Sequence, residues 1–251
     1  MATVVALHAH PDDEALLTGG WLAQRCAAGD RVVLVFATCG EAGLGSMTQT
    51  ATAGPLGRIR AAEAAASARE LGVAQVVWMG YADSGMVDAP TTSTGRFVDI
   101  PVEEAAQAVA DILDHENADV LTGYDANGGY GHPDHLHVHR VARAAQARAA
   151  SRPRLLEATL DRTWPLRVVR ALRPIARLLP GITLPGDDIY AARADLSLVI
   201  DVRDHFPQKR AALAAHASQT RGGVRTITVL LALPRPLARR LLGTEWFIQV
   251  P

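Results

Sequence analysis

Short apolar runs alternate with longer Ala/Leu-rich stretches over the first 150 residues of the chain. Val4-Val5-Ala6-Leu7 is a continuous apolar run of strand length, and it predicts a buried strand. Residues 15–28 read as the first helix and 31–38 as the second strand. A helix over 58–71 is closed by Gly72, and a third strand covers 75–79. Residues 88–99 read as a surface excursion. Pro101 then opens a helix over 102–115, which is followed by a short strand at 119–122 and a helix from His132 to about 148. Strand and helix in this rhythm predict an α/β fold, with a mostly parallel sheet flanked by helices and right-handed crossovers.

Past residue 151 the pattern is less regular. Strands are expected at 155–160, 195–202, 226–233 and 246–250, and a helix at 207–219. Residues 164–179 interleave Arg167, Arg170, Arg173 and Arg177 with apolar positions. Such a stretch suits a helix packed on the core with a solvated basic face. Membrane contact through 164–179 is the less favoured reading. No linker composition separates the two parts, so 1–251 is expected to be one domain. Its core is 1–150, and 151–251 is a C-terminal extension folded onto that core.

The formal charge of −1 argues against a general nucleic-acid binder. The two cysteines, Cys26 and Cys39, do not make a disulfide framework, and the chain begins without a basic leader. A cytoplasmic protein is expected, and a homo-oligomer. Lys209 is the only lysine, which reads with the alanine excess as base-composition bias.

The first chemical cluster sits between the first strand and the first helix: His10, Asp12, Asp13 and Glu14. In open α/β sheets, ligands bind at the carboxyl ends of strands. A helix cap needs one carboxylate, whereas three beside a histidine point to a cation. The second cluster is His132-Pro133-Asp134-His135 after a Gly-rich loop, with His137 and His139 behind it. Pro133 suits the first helical position, so His132 falls near the N-cap. His132, His135 and His139 share one helix face, and His137 is expected to point away into solvent.

Two histidines and a carboxylate leave an open coordination position, the pattern of catalytic zinc. Neighbouring aspartates leave the backbone in different directions, so one can bind metal while the other takes a proton from water. These parts fit metal-assisted hydrolysis of an amide. An Fe(II) oxygenase can use the same donor set, although its ligands usually come from an antiparallel barrel. A non-catalytic module with a closed structural metal would need a fourth ligand, for which His139 is the obvious choice.

Ala-His-Pro-Asp-Asp-Glu at 9–14, Thr-Cys-Gly-Glu at 38–41 and Gly-His-Pro-Asp-His at 131–135 resemble the PIG-L or LmbE-like family of zinc-dependent N-acetylglucosamine de-N-acetylases. Arg60-Ala61-Ala62-Glu63, Tyr81 to Met86, and Gly129-Tyr130-Gly131 are similar to its mycothiol-pathway branch. That branch acts on GlcNAc-inositol or on mycothiol S-conjugates. The resemblance implies a Rossmann-like fold and a small amino-sugar substrate. It makes His10, Asp13 and His135 the ligands of zinc, with Fe2+ as the alternative ion. Asp12 becomes the general base, His132 the oxyanion or leaving-group partner, Asp134 its orienter and Tyr130 an oxyanion aid. Glu41, Arg60 and Asp83 become contacts for substrate hydroxyls. Residues 209–219, with Ala215-His216-Ala217-Ser218-Gln219, are similar to the family's C-terminal helix.

Overall fold

β1 (Thr3–His8) runs through the middle of the sheet, and its Val4, Val5, Ala6 and Leu7 are fully buried. A parallel strand covered on both faces needs no polar alternation, which explains the unbroken apolar run. The computed structural model describes residues 1–41, 55–86, 89–91, 93–176, 186–220 and 226–251. A π-helical turn at Glu14–Thr18 leads into α1 (Gly19–Ala27), β2 (Arg31–Thr38), α2 (Pro55–Leu71) and β3 (Gln75–Tyr81). A small hairpin, β4 (Gly85–Met86) with β5 (Ala89–Pro90), precedes α3 (Val102–His115) and β6 (Val120–Tyr124). The single turn α4 (Gly128–Gly131) opens onto α5 (Pro133–Arg148), β7 (Arg154–Thr159) and α6 (Thr163–Ala176). The chain closes with β8 (Leu198–Asp201), α7 (Phe206–Ala215), α8 (Thr226–Ala232), α9 (Arg235–Leu242) and β9 (Thr244–Gln249).

The sheet order is β3-β2-β1-β6-β7-β9-β8. All pairs from β3 to β7 are parallel, and β9 runs antiparallel to both β7 and β8. The chain moves outward from β1 to β3, then returns to lay β6 on the other side of β1. The carboxyl ends of β1 and β6 therefore form the point where strand order reverses, the place where open α/β sheets bind their ligands. Both histidine clusters follow these two strands.

The extension continues the same sheet through β7, β9 and β8. Phe247 of β9 packs its ring 5.1 Å from Trp21 of α1. Glu245 of β9 accepts hydrogen bonds from the backbone N–H groups of Gly20 and Trp21, each at 2.8 Å. Lys209 lies against the same carboxylate at 2.7 Å, with both side chains almost wholly buried. The only lysine of the chain is thus an internal counter-ion to a carboxylate that receives a helix start.

Several expectations are corrected. Residues 226–232 form the helix α8, not a strand. Ile227 is buried there, with Leu230 and Leu231 packed beside the same small core as Leu213 of α7. Helical spacing meets that core, and packing outweighs the strand preference of the β-branched run. α9 lies in a stretch the hydropathy pattern left unassigned. Residues 195–202 keep strand geometry only over β8. The excursion at 88–99 is anchored by Phe97, which is fully buried. His137 is buried rather than solvated, its ring edge-on to Phe97 at 4.6 Å. The excursion covers the helix face that looked free in sequence. Much of the polar stretch at 47–57, and residues 177–179, lie outside the described residues.

Candidate active site

Asp13 Oδ2 is the hub of the cluster at these strand ends. It lies 3.5 Å from His10 Nδ1 and 3.3 Å from His135 Nε2. It also accepts from the His10 backbone N–H at 3.2 Å and from Tyr124 Oη at 2.8 Å. β1 delivers His10 and Asp13, the start of α5 delivers His135, and the end of β6 delivers Tyr124. Burial alone would raise the Asp13 carboxyl, but His135 and His10 hold it well below the usual carboxylate range.

His10 is ringed by acid. Its Nε2 lies 3.0 Å from Asp134 Oδ2 and 3.5 Å from Asp83 Oδ1. Burial would lower its pKa, but Asp83, with Asp13 and Asp134, holds it well above the ordinary value. Carboxylates concentrated around buried imidazoles make a strong field for a cation.

Both ring nitrogens of His135 are buried without a hydrogen-bond partner. An orphaned buried nitrogen facing a carboxylate oxygen fits a metal ligand. Among the described residues, ligand atoms of His10, His132 and His135 lie within 4.8 Å of one another, as do those of His10, Asp83, His132 and Asp134. The donor set of imidazole and carboxylate suits zinc.

Asp12 projects differently from Asp13 because its backbone has φ 108°, a region L-residues rarely adopt. Its N–H donates to Glu14 Oε2 at 2.8 Å. Arg60 Nη2 lies 3.4 Å from its carboxylate. Burial pushes the Asp12 carboxyl up to about 6, against the pull of Arg60. Such a group takes protons readily near neutral pH.

His132 caps α5: its Nδ1 accepts from the Asp134 backbone N–H at 3.1 Å. Accepting at Nδ1 places the ring proton on Nε2 in the neutral imidazole. Burial, with His10 and His135 nearby, pushes its pKa down to about 3, so the ring stays neutral. His132 therefore offers an N–H donor at Nε2. The Asp134 carboxylate reaches His10 rather than His132, and also accepts from the Ser84 N–H at 3.1 Å.

Tyr130 is partly exposed, with its ring 6.1 Å from His132 and 5.2 Å from His135. Its loop is braced from two sides. Asp125 Oδ1 accepts from the Gly129 N–H, and the Tyr190 N–H donates to Gly129 O at 2.6 Å. A Cβ on Gly129 would stand 3.2 Å from the Tyr190 ring, at a φ of 65°.

The three expected substrate contacts already have partners inside the protein. Arg60 is buried and donates to Gly40 O at 2.6 Å and Pro11 O at 2.5 Å. Gly40 permits this, since a Cβ there would lie 2.5 Å from the guanidinium carbon. Glu41 accepts from the Asp83 N–H at 2.9 Å. Asp83 accepts from the Gly85 N–H while facing His10. His139 turns away to the Tyr124 carbonyl oxygen and Glu157, at 3.1 and 3.2 Å, so it does not close a four-ligand site. Cys39 is half-buried, and burial pushes its thiol up to about 11, which leaves it a poor nucleophile.

Sequence reasoning did not single out Tyr124, Ser67 or Tyr190. Tyr124 lies two residues past the expected end of its strand, and its ring stacks on His135 at 4.2 Å. Strand-end logic with the right boundary would have found it. Ser67 and Tyr190 leave no signal, because only the folded chain brings them near.

The family pattern described as PIG-L, GlcNAc-PI de-N-acetylase, matches residues 5–146. The chain belongs to the PIG-L family. The 1D-myo-inositol 2-acetamido-2-deoxy-alpha-D-glucopyranoside deacetylase of Nocardiopsis dassonvillei is 36% identical over 268 residues, covering 96% of this chain and 91% of the relative. The protein of the same name from Mycobacteroides abscessus is 37% identical over 246 residues, covering 92% and 88%. This PIG-L chain is therefore an enzyme of the deacetylase type, a hydrolase of a linear amide. Among solved structures, N,N'-diacetylchitobiose deacetylase from Pyrococcus horikoshii aligns with a TM-score of 0.63 at 21% identity, covering 99% of this chain and 84% of that one. A 4-carboxy-2-hydroxymuconate hydratase, GalB, from Pseudomonas putida aligns with a TM-score of 0.65 at 16% identity, covering 100% and 97%. The same fold therefore carries more than one reaction.

Proposed function

We propose that this enzyme removes the N-acetyl group from a small GlcNAc-containing molecule such as GlcNAc-inositol, with zinc held by His10, Asp13 and His135. One observation carries the reading. His135 Nε2, buried and without a hydrogen-bond partner, faces the Asp13 oxygen that also faces His10. Zinc bound there would polarise the amide carbonyl and lower the pKa of water to about 7.

The chain's own groups supply the rest. Asp12, with its carboxyl near 6, takes the proton of the attacking water and hands it to the leaving amine. His132 donates its Nε2–H to the oxyanion that develops on the former carbonyl oxygen. Tyr130 stands beside it, partly exposed. Asp134 and Asp83 fix the His10 ring. Arg60 holds the Gly40 and Pro11 carbonyls and keeps Asp12 in the field of a cation. Iron(II) would suit the same donors, and the metal content of the purified protein distinguishes the two ions.

The substrate is tested by comparing kcat/KM for free GlcNAc, GlcNAc-inositol, a mycothiol S-conjugate and an N-acetylated glycoside intermediate. GlcNAc-inositol is expected to be the fastest. Turnover of the glycoside alone would keep the amide hydrolysis and overturn the inositol assignment. No turnover of any of them by metal-loaded protein would overturn both.

A further inference from the structure

The chain has a formal charge of −1, yet positions 201–245 contain eight basic residues and three acidic ones. Five of these arginines meet around one groove of about 1100 Å³ between α7, α9 and the start of β9. Arg203 stands just before α7, Arg210 lies on α7, and Arg235, Arg239 and Arg240 lie on α9. Phe206, Pro207, Ala211, Ala214 and Pro236 make up the apolar part of its lining. None of the active-site residues lines this groove.

The arginines are built into place. Arg210 Nη2 donates to Leu231 O at 2.8 Å, while its Nη1 is buried and has no hydrogen-bond partner. Arg239 Nε donates to Arg203 O at 3.1 Å, which ties α9 to the entrance of α7. Gly243 allows that approach. A Cβ there would stand 2.3 Å from Arg239 O and 2.4 Å from Arg203 Cγ. Asp201 pairs with Arg203, and Asp204 lies 3.4 Å from Arg239. Arg235 and Arg240 are exposed, and no ion pair engages either among the described residues.

Guanidinium groups gathered at one place repel one another, and a buried N–H without an acceptor is unfavourable. A ligand with several anionic oxygens relieves both. Guanidinium forks match phosphoryl oxygens in paired hydrogen bonds, and a phosphoryl group concentrates more charge than a carboxylate. The groove is large enough for a metabolite-sized molecule, with apolar lining for its uncharged part. We propose that the groove between α7 and α9 is a second ligand site, one that binds phosphoryl-bearing anions.

The test uses the full chain at physiological ionic strength. Calorimetry with pyrophosphate measures the free anion, and citrate serves as the carboxylate control. Co-sedimentation with phosphatidic acid vesicles, against phosphatidylcholine vesicles, asks whether the phosphoryl group is a lipid headgroup. The R235Q/R240Q variant removes two exposed side chains and should keep its melting temperature and deacetylase activity. R210M removes the buried donor. Saturable pyrophosphate binding is expected, weakened at least about tenfold in R235Q/R240Q and in R210M. Binding to phosphatidic acid vesicles that the same variants abolish would assign the phosphoryl group to a lipid. Three outcomes overturn the proposal: no binding of pyrophosphate or phosphatidic acid, equal binding of citrate, or binding that the variants leave unchanged.

Discussion

His216 Nε2 lies 2.7 Å from Glu14 Oε1, across 202 residues of sequence and with both side chains fully buried. Ser67 Oγ donates to the same oxygen at 2.5 Å, and the other Glu14 oxygen accepts the Asp12 N–H. One carboxylate thus joins α2, the extension and the strained backbone of Asp12. Partners of this kind typically affect activity or metal affinity by about 10–100-fold. His216→Ala and Glu14→Gln are each expected to lower kcat within that range with little change in KM. A rise in KM alone would show that the pair serves substrate binding.

The same pair has a stability signature. Burial would lower His216, but Glu14 raises it above the ordinary histidine value of 6.5. A raised imidazole stabilises the fold below that value and loses the effect as pH climbs through the folded pKa. Burial would raise Glu14, but His216 and Ser67 depress it below 4.5. A depressed carboxyl stabilises the fold above that value and loses the effect as pH falls through the folded pKa. Denaturant unfolding of His216→Asn should therefore show its largest deficit against the wild type between pH 4.5 and 6.5. A deficit that grows steadily toward alkaline pH would contradict the sign of this linkage.

Asp12 and Asp13 should separate cleanly. Asp13→Ala is expected to lose bound metal, since its Oδ2 faces both His10 and His135. Asp12→Asn is expected to keep the metal and lose turnover, because its side chain leaves the strained turn beside Arg60. Metal analysis together with a deacetylation assay reads both. An active Asp12→Asn enzyme would remove the general-base role.

His132→Ala should lower kcat by about 10²–10³ with KM nearly constant, the pattern of a donor used only in the transition state. The neutral ring and its Nδ1 contact to the Asp134 N–H set this expectation. An effect confined to KM would move His132 to substrate binding.

Lys209→Met leaves the buried Glu245 carboxylate with the Gly20 and Trp21 N–H groups but no cation. Breaking a buried pair in this way costs about 3–5 kcal/mol. Thermal or denaturant unfolding should show the loss. A change below about 1 kcal/mol would place Lys209 with ordinary surface pairs.

Sequence alone determined the parts set by local rules. The apolar run of β1 and the helical stretches after it dictate strand and helix, because period and length are local quantities. Pro133 and the preceding His132 dictate the start of α5, because a helix end needs a cap wherever it lies. Motif chemistry placed His10, Asp12, Asp13, His132 and His135 at two strand ends, and the parallel order of β1 and β6 makes those ends neighbours. Tertiary structure decided the rest. Which group Asp134 faces, and that Arg60 holds two carbonyls, depend on loops meeting from different strands. α8 is helical because its Ile227 meets a core formed with α7, a contact no local window contains. His137 is buried because Phe97 returns over it. The joining of His216 to Glu14 spans most of the chain, and distance along the sequence carries no information about which buried acid finds which buried base.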